Sequence, residues 1–305
     1  MVSKLLVDID HATRLVRRWY EPSRRVLAVR QLNGGMINHV WAWQLDGEPG
    51  WLVGKLNVLD HHDAFEREFA ALRWYREHST FPVPEVHTCF ADEEEGVSGL
   101  LMQRMAGRNL GEAQLGQRGI ASLQGQLATH IASLHTHTAE RFGPVVMDDA
   151  KRSRWLDVFG PTLEREFHAV GEHLSSKTRD VIHKLLGELE AWLPEQARPT
   201  LVHGDLWATN ILVNDAHPDR PTLTAFVDPA GLYADPEYEL AYLRLFHTAG
   251  DVFFRTYTQT HPLRPGFDRR CRIYWLNTML LHLRLFGDQY ASSCDGLARQ
   301  IRQLA

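Results

Sequence analysis

A short apolar hairpin with polar residues at both ends is the feature that most restricts how this 305-residue chain can fold. Asp205 and Asn210 precede its first strand, residues 211–213, and Asp228 follows its second, residues 223–227. The turn between the strands is rich in Asn, Asp and Pro, which favour chain reversal. Because a hairpin brings its ends together, Asp228 is predicted to lie beside Asn210.

These three side chains suit the chemistry of phosphoryl transfer. That reaction needs a carboxylate that orients and deprotonates an incoming hydroxyl, and oxygen ligands that hold Mg²⁺ on the nucleotide phosphates. The spacing of Asp205 and Asn210 is the D-x-x-x-x-N pattern of kinase catalytic loops. We therefore predict Asp205 as the catalytic base, with Asn210 and Asp228 as metal ligands. An Asp after a strand is often only a cap or turn former, and it is the second motif at Asp228 that favours catalysis.

Composition indicates a globular enzyme. Hydrophobic residues make up 44% and charged residues 23% of the chain, which is enough to bury a substantial core. The net charge of −5 argues against a nucleic-acid partner, and no segment approaches the ~18 apolar residues of a membrane span. The three scattered cysteines have no C-x-x-C spacing, so we predict neither disulfides nor a cysteine zinc site, and a cytoplasmic location.

The hydrophobic pattern changes near residue 104. Before it, residues 11–20 and 63–78 have helical periodicity, and the strand-like segments are 26–32, 39–45, 51–56, 85–90 and 98–103. After it come long amphipathic helices, interrupted by the hairpin, at 119–137, 152–171, 176–192, 236–246, 249–260 and 267–286. This predicts an α+β chain with two lobes. The first lobe, residues 1–104, consists of a five-stranded sheet and a helix and is expected to bind nucleotide. The second lobe, residues 105–305, is mostly helical and is expected to carry catalysis and acceptor binding.

Two features of the first lobe predict phosphate contacts. Lys55 is a lone lysine in an apolar strand, so its ammonium needs an anionic partner if it points inward. Glu68 on the following helix can supply it in the arrangement of kinase folds, where such a lysine binds the α and β phosphates; Glu66 is the alternative. The second feature, Gly34 and Gly35 between two strands, lets backbone N–H groups approach a phosphate, although a simple hairpin turn also explains it.

The chain resembles the aminoglycoside-phosphotransferase and protein-kinase-like superfamily, and it looks most like the fructosamine kinase (ketosamine 3-kinase) branch. Four segments carry this likeness, which covers almost the whole chain: 34–38, 55–57, 203–207 and 228–230. The resemblance implies a bilobal protein-kinase-like fold with an antiparallel sheet, ATP and Mg²⁺ as cofactors, and phosphorylation of a hydroxyl of a sugar-derived amine. It also implies that Met102 and Met105 form the adenine hinge through backbone groups.

Departures from the branch leave the small-molecule acceptor open. Met36 stands where the family loop often has an acidic residue, and residues 101–108 are more typical of general aminoglycoside phosphotransferases. The alternatives are therefore a kinase for an aminoglycoside or another amino or hydroxy metabolite, and a catalytically weak nucleotide-binding regulatory module.

Three further side chains have two interpretations each. Trp207 either packs in the core or offers a flat face to a sugar ring. Asp235 either caps a helix or recognises a substrate amine. His203 either orients the catalytic loop by hydrogen bonding or takes part in proton transfer.

Overall fold

The computed structural model describes residues 5–32, 37–193 and 197–304. The α-helices in these ranges are α1 (Ile9–Trp19), α2 (His62–His78), α3 (Gln117–Leu134), α4 (Leu156–Val170), α5 (Ser176–Gly187), α6 (Leu189–Trp192), α7 (Pro236–Leu245), α8 (Asp251–Tyr257), α9 (Phe267–Phe286) and α10 (Ala291–Leu304). The strands are β1 (Val26–Gln31), β2 (His39–Leu45), β3 (Trp51–Val58), β4 (Val86–Asp92), β5 (Val97–Gln103), β6 (Arg108–Asn109), β7 (Gly143–Pro144), β8 (Thr200–Val202), β9 (Ile211–Asn214), β10 (Thr222–Phe226) and β11 (Leu232–Ala234).

The chain forms two compact units. The first consists of Met1–Leu123 and Ala208–Gly231, and the second of Gln124–Trp207 and Leu232–Ala305. The expected boundary near residue 104 therefore falls inside the first unit, which also contains the hairpin of β9 and β10. The pairing of β6 with β9 explains this, because it keeps the chain beyond β5 in the same unit as the hairpin.

The first unit is built on the predicted antiparallel sheet, in the order β1-β2-β3-β5-β4. Central β3 pairs on both sides, which aligns Lys55 with Val40 and Leu100. Since side chains alternate along a strand, Leu52 and Leu56 face one way and Lys55 the other. Both leucines are buried with α1 in a hydrophobic core. Lys55 therefore lies on the opposite face of β3.

The second unit is organised around α9, which packs against α4, α7 and α10. Its side chains are buried along most of its length, including Ile273, Leu276 and Leu280. A small antiparallel sheet, β7-β11-β8, lies in the same unit. Its strand β8 leads directly into the segment 203–207, so buried Leu201 and Val202 anchor the start of that loop. Among the described residues, no helix is both long and apolar enough to cross a membrane.

Most predicted elements are present, but several elements were missed. The strands β6, β7, β8 and β11 span two or three residues each, too few to show a period. The predicted helix 176–192 is two helices, α5 and α6. The last helix, α10, did leave a signal, because its buried residues Cys294, Leu297, Ala298 and Ile301 follow helical i, i+3, i+4, i+7 spacing.

Candidate active site

Lys55 is held between two carboxylates on the cavity side of β3. Its Nζ donates to both oxygens of Glu68, each at 2.8 Å, and lies 2.9 Å from Oδ1 of Asp228. Glu66 instead lies 3.4 Å from His62. Burial alone would lower the pKa of Lys55, but the charges of Asp228 and Glu68 raise it above its ordinary value, so the ammonium stays charged.

The carboxylate of Glu68 depends on this pairing. Burial raises its pKa to about 7, and Lys55 opposes that rise while the second carboxylate, Asp228, adds to it. Two anions thus share one cation in a buried place.

A cavity of about 210 Å³ opens beside Lys55 within the first unit. Apolar side chains form its walls, and polar ones meet at one end. The apolar lining includes Leu32, Val40, Val53, Met102, Met105, Leu212 and Val227, and the polar lining includes Lys55, Asn210 and Asp228. An amphiphile with a flat apolar ring and an anionic tail fits this division, and a nucleoside triphosphate is such a molecule.

The segment after β5 forms one edge of this cavity. The Gln103 N–H still donates to Glu85, but sheet pairing ends there, so the following backbone groups are not used in the sheet. The Thr224 hydroxyl donates to the carbonyl of Ala106 at 2.6 Å and fixes the segment to β10. Gly107 has φ +108°, and a Cβ there would come within 2.7 Å of the Val213 carbonyl. Glycine at 107 therefore permits this close crossing.

The hairpin places Asn210 and Asp228 as its sequence predicts. Ile211 pairs with Phe226, and the Val227 N–H donates to the Asn210 carbonyl at 3.0 Å. Asp228 then turns sharply, with φ +59°. A left-handed backbone at a non-glycine residue costs about 1–2 kcal/mol, and such strain is concentrated at functional sites.

An Asn and an Asp at one end of the cavity fit a nucleotide-bound Mg²⁺ ion. This hard cation prefers oxygen ligands and usually takes only one or two from protein, with phosphate and water supplying the rest. In the part of the chain that the structure describes, no cluster of three or more His, Cys, Asp or Glu side chains could hold a metal by itself. Gly34 and Gly35 lie outside the described residues. The described end of their loop is held by Asn57, whose amide donates to the Ile37 carbonyl at 3.1 Å.

Asp205 lies in the second unit, in the loop that follows β8. Its backbone N–H donates to Nδ1 of His203 at 3.3 Å, and His203 is fully buried. Gly204 between them has φ +84°, which a side chain would disfavour. The hydroxyl of Tyr242 on α7 donates to Oδ1 of Asp205 at 2.5 Å. The loop and the carboxylate are thus held by separate contacts.

A buried pair supports the same loop from α7 and the end of α3. The Gly204 N–H donates to Oε1 of Glu239 at 2.8 Å, and Oε2 of Glu239 lies 2.9 Å from Nε2 of His135. Nδ1 of His135 lies 2.6 Å from the Tyr257 hydroxyl. The side chains of His135 and Glu239 have no exposed surface. Breaking such a buried, fully bonded pair would loosen the loop that carries Asp205.

Trp207 is half-buried at the edge of an aromatic group. Its ring lies 6.5 Å from that of Phe246, which lies 4.7 Å from the Tyr242 ring and 5.5 Å from His282. Because Tyr242 also contacts Asp205, this aromatic group is continuous with the predicted base. The residue as a whole is only partly buried.

The carboxylate of Asp235 is buried and hydrogen-bonded within the protein, whereas a residue that contacts the acceptor would be exposed. Its Oδ1 accepts from the N–H of Glu237 and caps α7, while Arg264 and the Tyr274 hydroxyl donate to Oδ2 at 2.6 Å and 2.9 Å. The residue is only 2% exposed. With both oxygens used inside the protein, Asp235 serves as a buried helix cap, which is the first of its two predicted interpretations, and the tentative contact with a substrate amine does not fit these bonds.

Tyr242, which contacts the predicted base, was not among the residues predicted from the sequence. Asp235, Glu239 and Tyr242 are spaced by four and three residues, so α7 presents them along one side. That spacing is visible in the sequence. The partner that each of these residues contacts is not visible in the sequence.

The chain is similar to known proteins along nearly its whole length. A profile of the family described as Fructosamine kinase matches residues 10–303. The ketosamine-3-kinase of Mus musculus is 26% identical over 316 residues, covering 90% of this chain and 95% of that protein.

Solved structures show the same fold. A crystal structure from Thermobifida fusca, provisionally assigned as a fructosamine-3-kinase, superposes with a TM-score of 0.74 at 25% identity, covering 97% of this chain and 100% of that one. The GDP complex of wild-type aminoglycoside 2'-phosphotransferase-IIIa superposes with a TM-score of 0.67 at 18% identity, covering 97% of this chain and 99% of that one. The second likeness is one of fold alone.

Proposed function

Because the chain belongs to the fructosamine kinase family, we propose that it transfers the γ-phosphoryl group of ATP to a hydroxyl of a ketosamine, a sugar-derived amine. The observation that carries the nucleotide half is the cavity beside Lys55, where apolar walls end in Lys55, Asn210 and Asp228. The observation that carries the acceptor half is Asp205, a carboxylate held in a fixed loop beside aromatic rings.

Different residues of the cavity bind the adenine ring and the phosphates. The adenine ring lies between the apolar side chains, and backbone groups between Met102 and Met105 meet its polar edge. Lys55, steadied by Glu68, holds the α and β phosphates as a charged donor. In doing so it exchanges its contact with Asp228 for a contact with phosphate.

Asn210 and Asp228 hold Mg²⁺ on the phosphates. The bound ion offsets negative charge on the transferring group. Asp228 lies 2.9 Å from Lys55, so in this proposal the metal ligand adjoins the lysine that binds the phosphates.

Asp205 serves the acceptor. The acceptor oxygen forms a bond to the γ-phosphorus while the bond from that phosphorus to the β–γ bridging oxygen breaks, and ADP leaves. The hydroxyl proton passes to the Asp205 carboxylate. The products are ADP and a phosphorylated ketosamine, so atoms and charge balance.

The aromatic group at Trp207 is proposed to bind the sugar part of the acceptor. The C–H face of a sugar ring packs well on an indole, and Trp207 is a partly exposed residue two positions after Asp205. We also propose a cytoplasmic location, which the three free cysteines support, because free thiols persist in a reducing compartment.

The decisive experiment supplies ATP and Mg²⁺ with a fructosyl-amine, a ribulosyl-amine or an aminoglycoside, and measures ADP release together with the mass of the product. Phosphorylation of either ketosamine supports the proposal. Phosphorylation of the aminoglycoside alone would overturn it. ADP release without any phosphorylated acceptor, or no release at all, would favour another substrate or a regulatory nucleotide-binding role.

A further inference from the structure

We infer that Tyr242 is a positioning residue for the base, and that its hydroxyl fixes the direction in which the Asp205 carboxylate meets the acceptor. This inference rests on the proposed function, because it assumes that Asp205 receives the acceptor proton. Tyr242 is not part of any segment that marks the chain as a kinase by sequence.

The hydrogen bond between the two side chains is short. The Tyr242 Oη donates to Asp205 Oδ1 at 2.5 Å, the short end of the range for a hydroxyl and a carboxylate. A carboxylate at the end of an aspartate side chain can turn about its Cβ–Cγ bond at little cost. With Oδ1 bonded to the phenol, that rotation breaks a charge-assisted hydrogen bond, so one orientation of the carboxylate is favoured.

The phenol stays a donor in this bond. Burial, together with the negative charge of Asp205, raises the pKa of Tyr242 above its ordinary value. The phenol is therefore neutral across the physiological range and keeps its proton. Tyr242 is consequently the donor in this bond, and Oδ1 of Asp205 is the acceptor.

The tyrosine ring itself is fixed. Tyr242 comes from the helix α7, and its ring packs 4.7 Å from that of Phe246. Phe246 in turn contacts His282 on α9 at 5.5 Å. The phenol thus reaches Asp205 from a packed helix, whereas Asp205 itself stands on a loop. A rigid donor holding a loop carboxylate is the arrangement that positions a catalytic group.

The consequence for catalysis is specific. Transfer requires the carboxylate oxygen, the acceptor hydroxyl and the γ-phosphorus to be aligned, and a small rotation of the base lowers the rate without weakening the binding of nucleotide. Loss of the Tyr242 hydroxyl should therefore reduce kcat through Asp205 and through nothing else.

The test is a double-mutant cycle on the full chain with ATP, Mg²⁺ and the ketosamine that is phosphorylated best. Tyr242→Phe keeps the ring and removes the hydroxyl; it should lower kcat by about tenfold and change the KM for ATP by less than about twofold. In an Asp205→Asn background, the same change should alter kcat by less than about twofold, because the base through which it acts is already gone.

Tyr274→Phe is the matched control. Its phenol also donates to an aspartate in the second unit, Asp235, but that aspartate is a helix cap. It should lower the melting temperature and leave the kcat of the folded protein unchanged, which separates general destabilisation from positioning.

The outcomes distinguish the positioning role from the proposed function. Near wild-type turnover in Asp205→Asn would overturn the assignment of the base and with it the proposed function. A strong loss in Asp205→Asn with full activity in Tyr242→Phe would overturn only the positioning role. An equal loss from Tyr242→Phe in both backgrounds would do the same, since the residue would then act independently of Asp205.

Discussion

At the scale of single residues, two carboxylates share one cation in the proposed nucleotide site. Lys55 is 4% exposed and binds Glu68 and Asp228 together. This arrangement satisfies a buried ammonium, which would otherwise be costly.

Asp228→Ala and Asn210→Ala test the proposed metal site. The carboxylate carries a full charge and the amide only a dipole, so we expect Asp228→Ala to lower turnover on the order of 100-fold and Asn210→Ala to lower it less. Activity should be measured against Mg²⁺ concentration. The Asn210→Ala loss should shrink at high Mg²⁺. An Asp228→Ala protein with an unaltered Mg²⁺ dependence would remove this residue from the metal site.

Trp207→Ala tests the acceptor contact. If the indole stacks on the sugar, its loss should weaken the apparent affinity for the acceptor by about 1–3 kcal/mol and leave that for ATP nearly unchanged. Phe246→Leu is a useful comparison, because it alters the ring that supports Trp207 without removing the proposed stacking surface. Equal changes in the KM for ATP and for the acceptor would indicate a general packing defect instead.

At the scale of elements, α7 links the stability of the second unit to its chemistry. Its N-cap is Asp235, its first turn carries Glu237, and its later turns carry Glu239 and Tyr242. The first two residues hold the helix in place, and the last two contact Gly204 and Asp205 in the loop after β8. The helix α7 is therefore both anchored in the second unit and in contact with the loop that contains Asp205.

The start of α7 is tied to α9 and to the segment before it by buried ion pairs. Glu237 accepts from Arg270 and Arg264. Burial acts to raise the pKa of Glu237, but its hydrogen bonds to these two arginines lower the pKa below its ordinary value. The carboxylate therefore stays charged at neutral pH, and the end of α7 that contacts the catalytic loop is carried on a firmly anchored helix.

Asp235→Ala should cost far more stability than an ordinary cap. It removes the cap of α7, leaves the Arg264 charge with fewer partners and leaves the Tyr274 hydroxyl without its acceptor. We expect a loss of about 3–5 kcal/mol in the free energy of unfolding, against about 1 kcal/mol for Asp8→Ala, where an exposed aspartate caps α1 at 2.7 Å. Urea unfolding of both variants measures this difference. Similar losses would show that the ion pairs around Asp235 contribute little.

At the scale of the whole molecule, the free cysteines report on opening of the second unit. Cys271 in α9 and Cys294 in α10 are buried, and burial raises the pKa of each to about 12. Both are therefore thiols rather than reactive thiolates near neutral pH. Cys89, in the first unit, is half-buried, and its pKa is raised by burial to about 11.

The rate of labelling with a thiol reagent should be lower for the buried cysteines than for half-buried Cys89. At neutral pH we expect Cys271 and Cys294 to react at least ~1000-fold more slowly than in the unfolded chain, with rates that rise with urea as the second unit opens. Peptide mass analysis identifies which thiol reacts, and a Cys89→Ser protein removes the more accessible one as a control. Rapid labelling of Cys294 in native buffer would mean that α10 detaches locally.

The sequence by itself determined the parts of this protein that depend on local pattern. Alternating and helical periodicities predicted the five-stranded sheet and α2, and the thirteen-residue interval between Lys55 and Glu68 predicted their pairing. The two ends of the hairpin lie together as predicted, because two consecutive strands joined by a turn pair with each other in an antiparallel way.

Only the tertiary structure decided which distant groups meet. Tyr242 contacts Asp205 across 37 residues of chain, and Asp235 finds Arg264 and Tyr274 across 29 and 39. These partners depend on the angles at which α7 and α9 pack, and many residues set such angles together. A sequence pattern shows which side of a helix a residue occupies, but the group that it faces is settled only when the helices have packed.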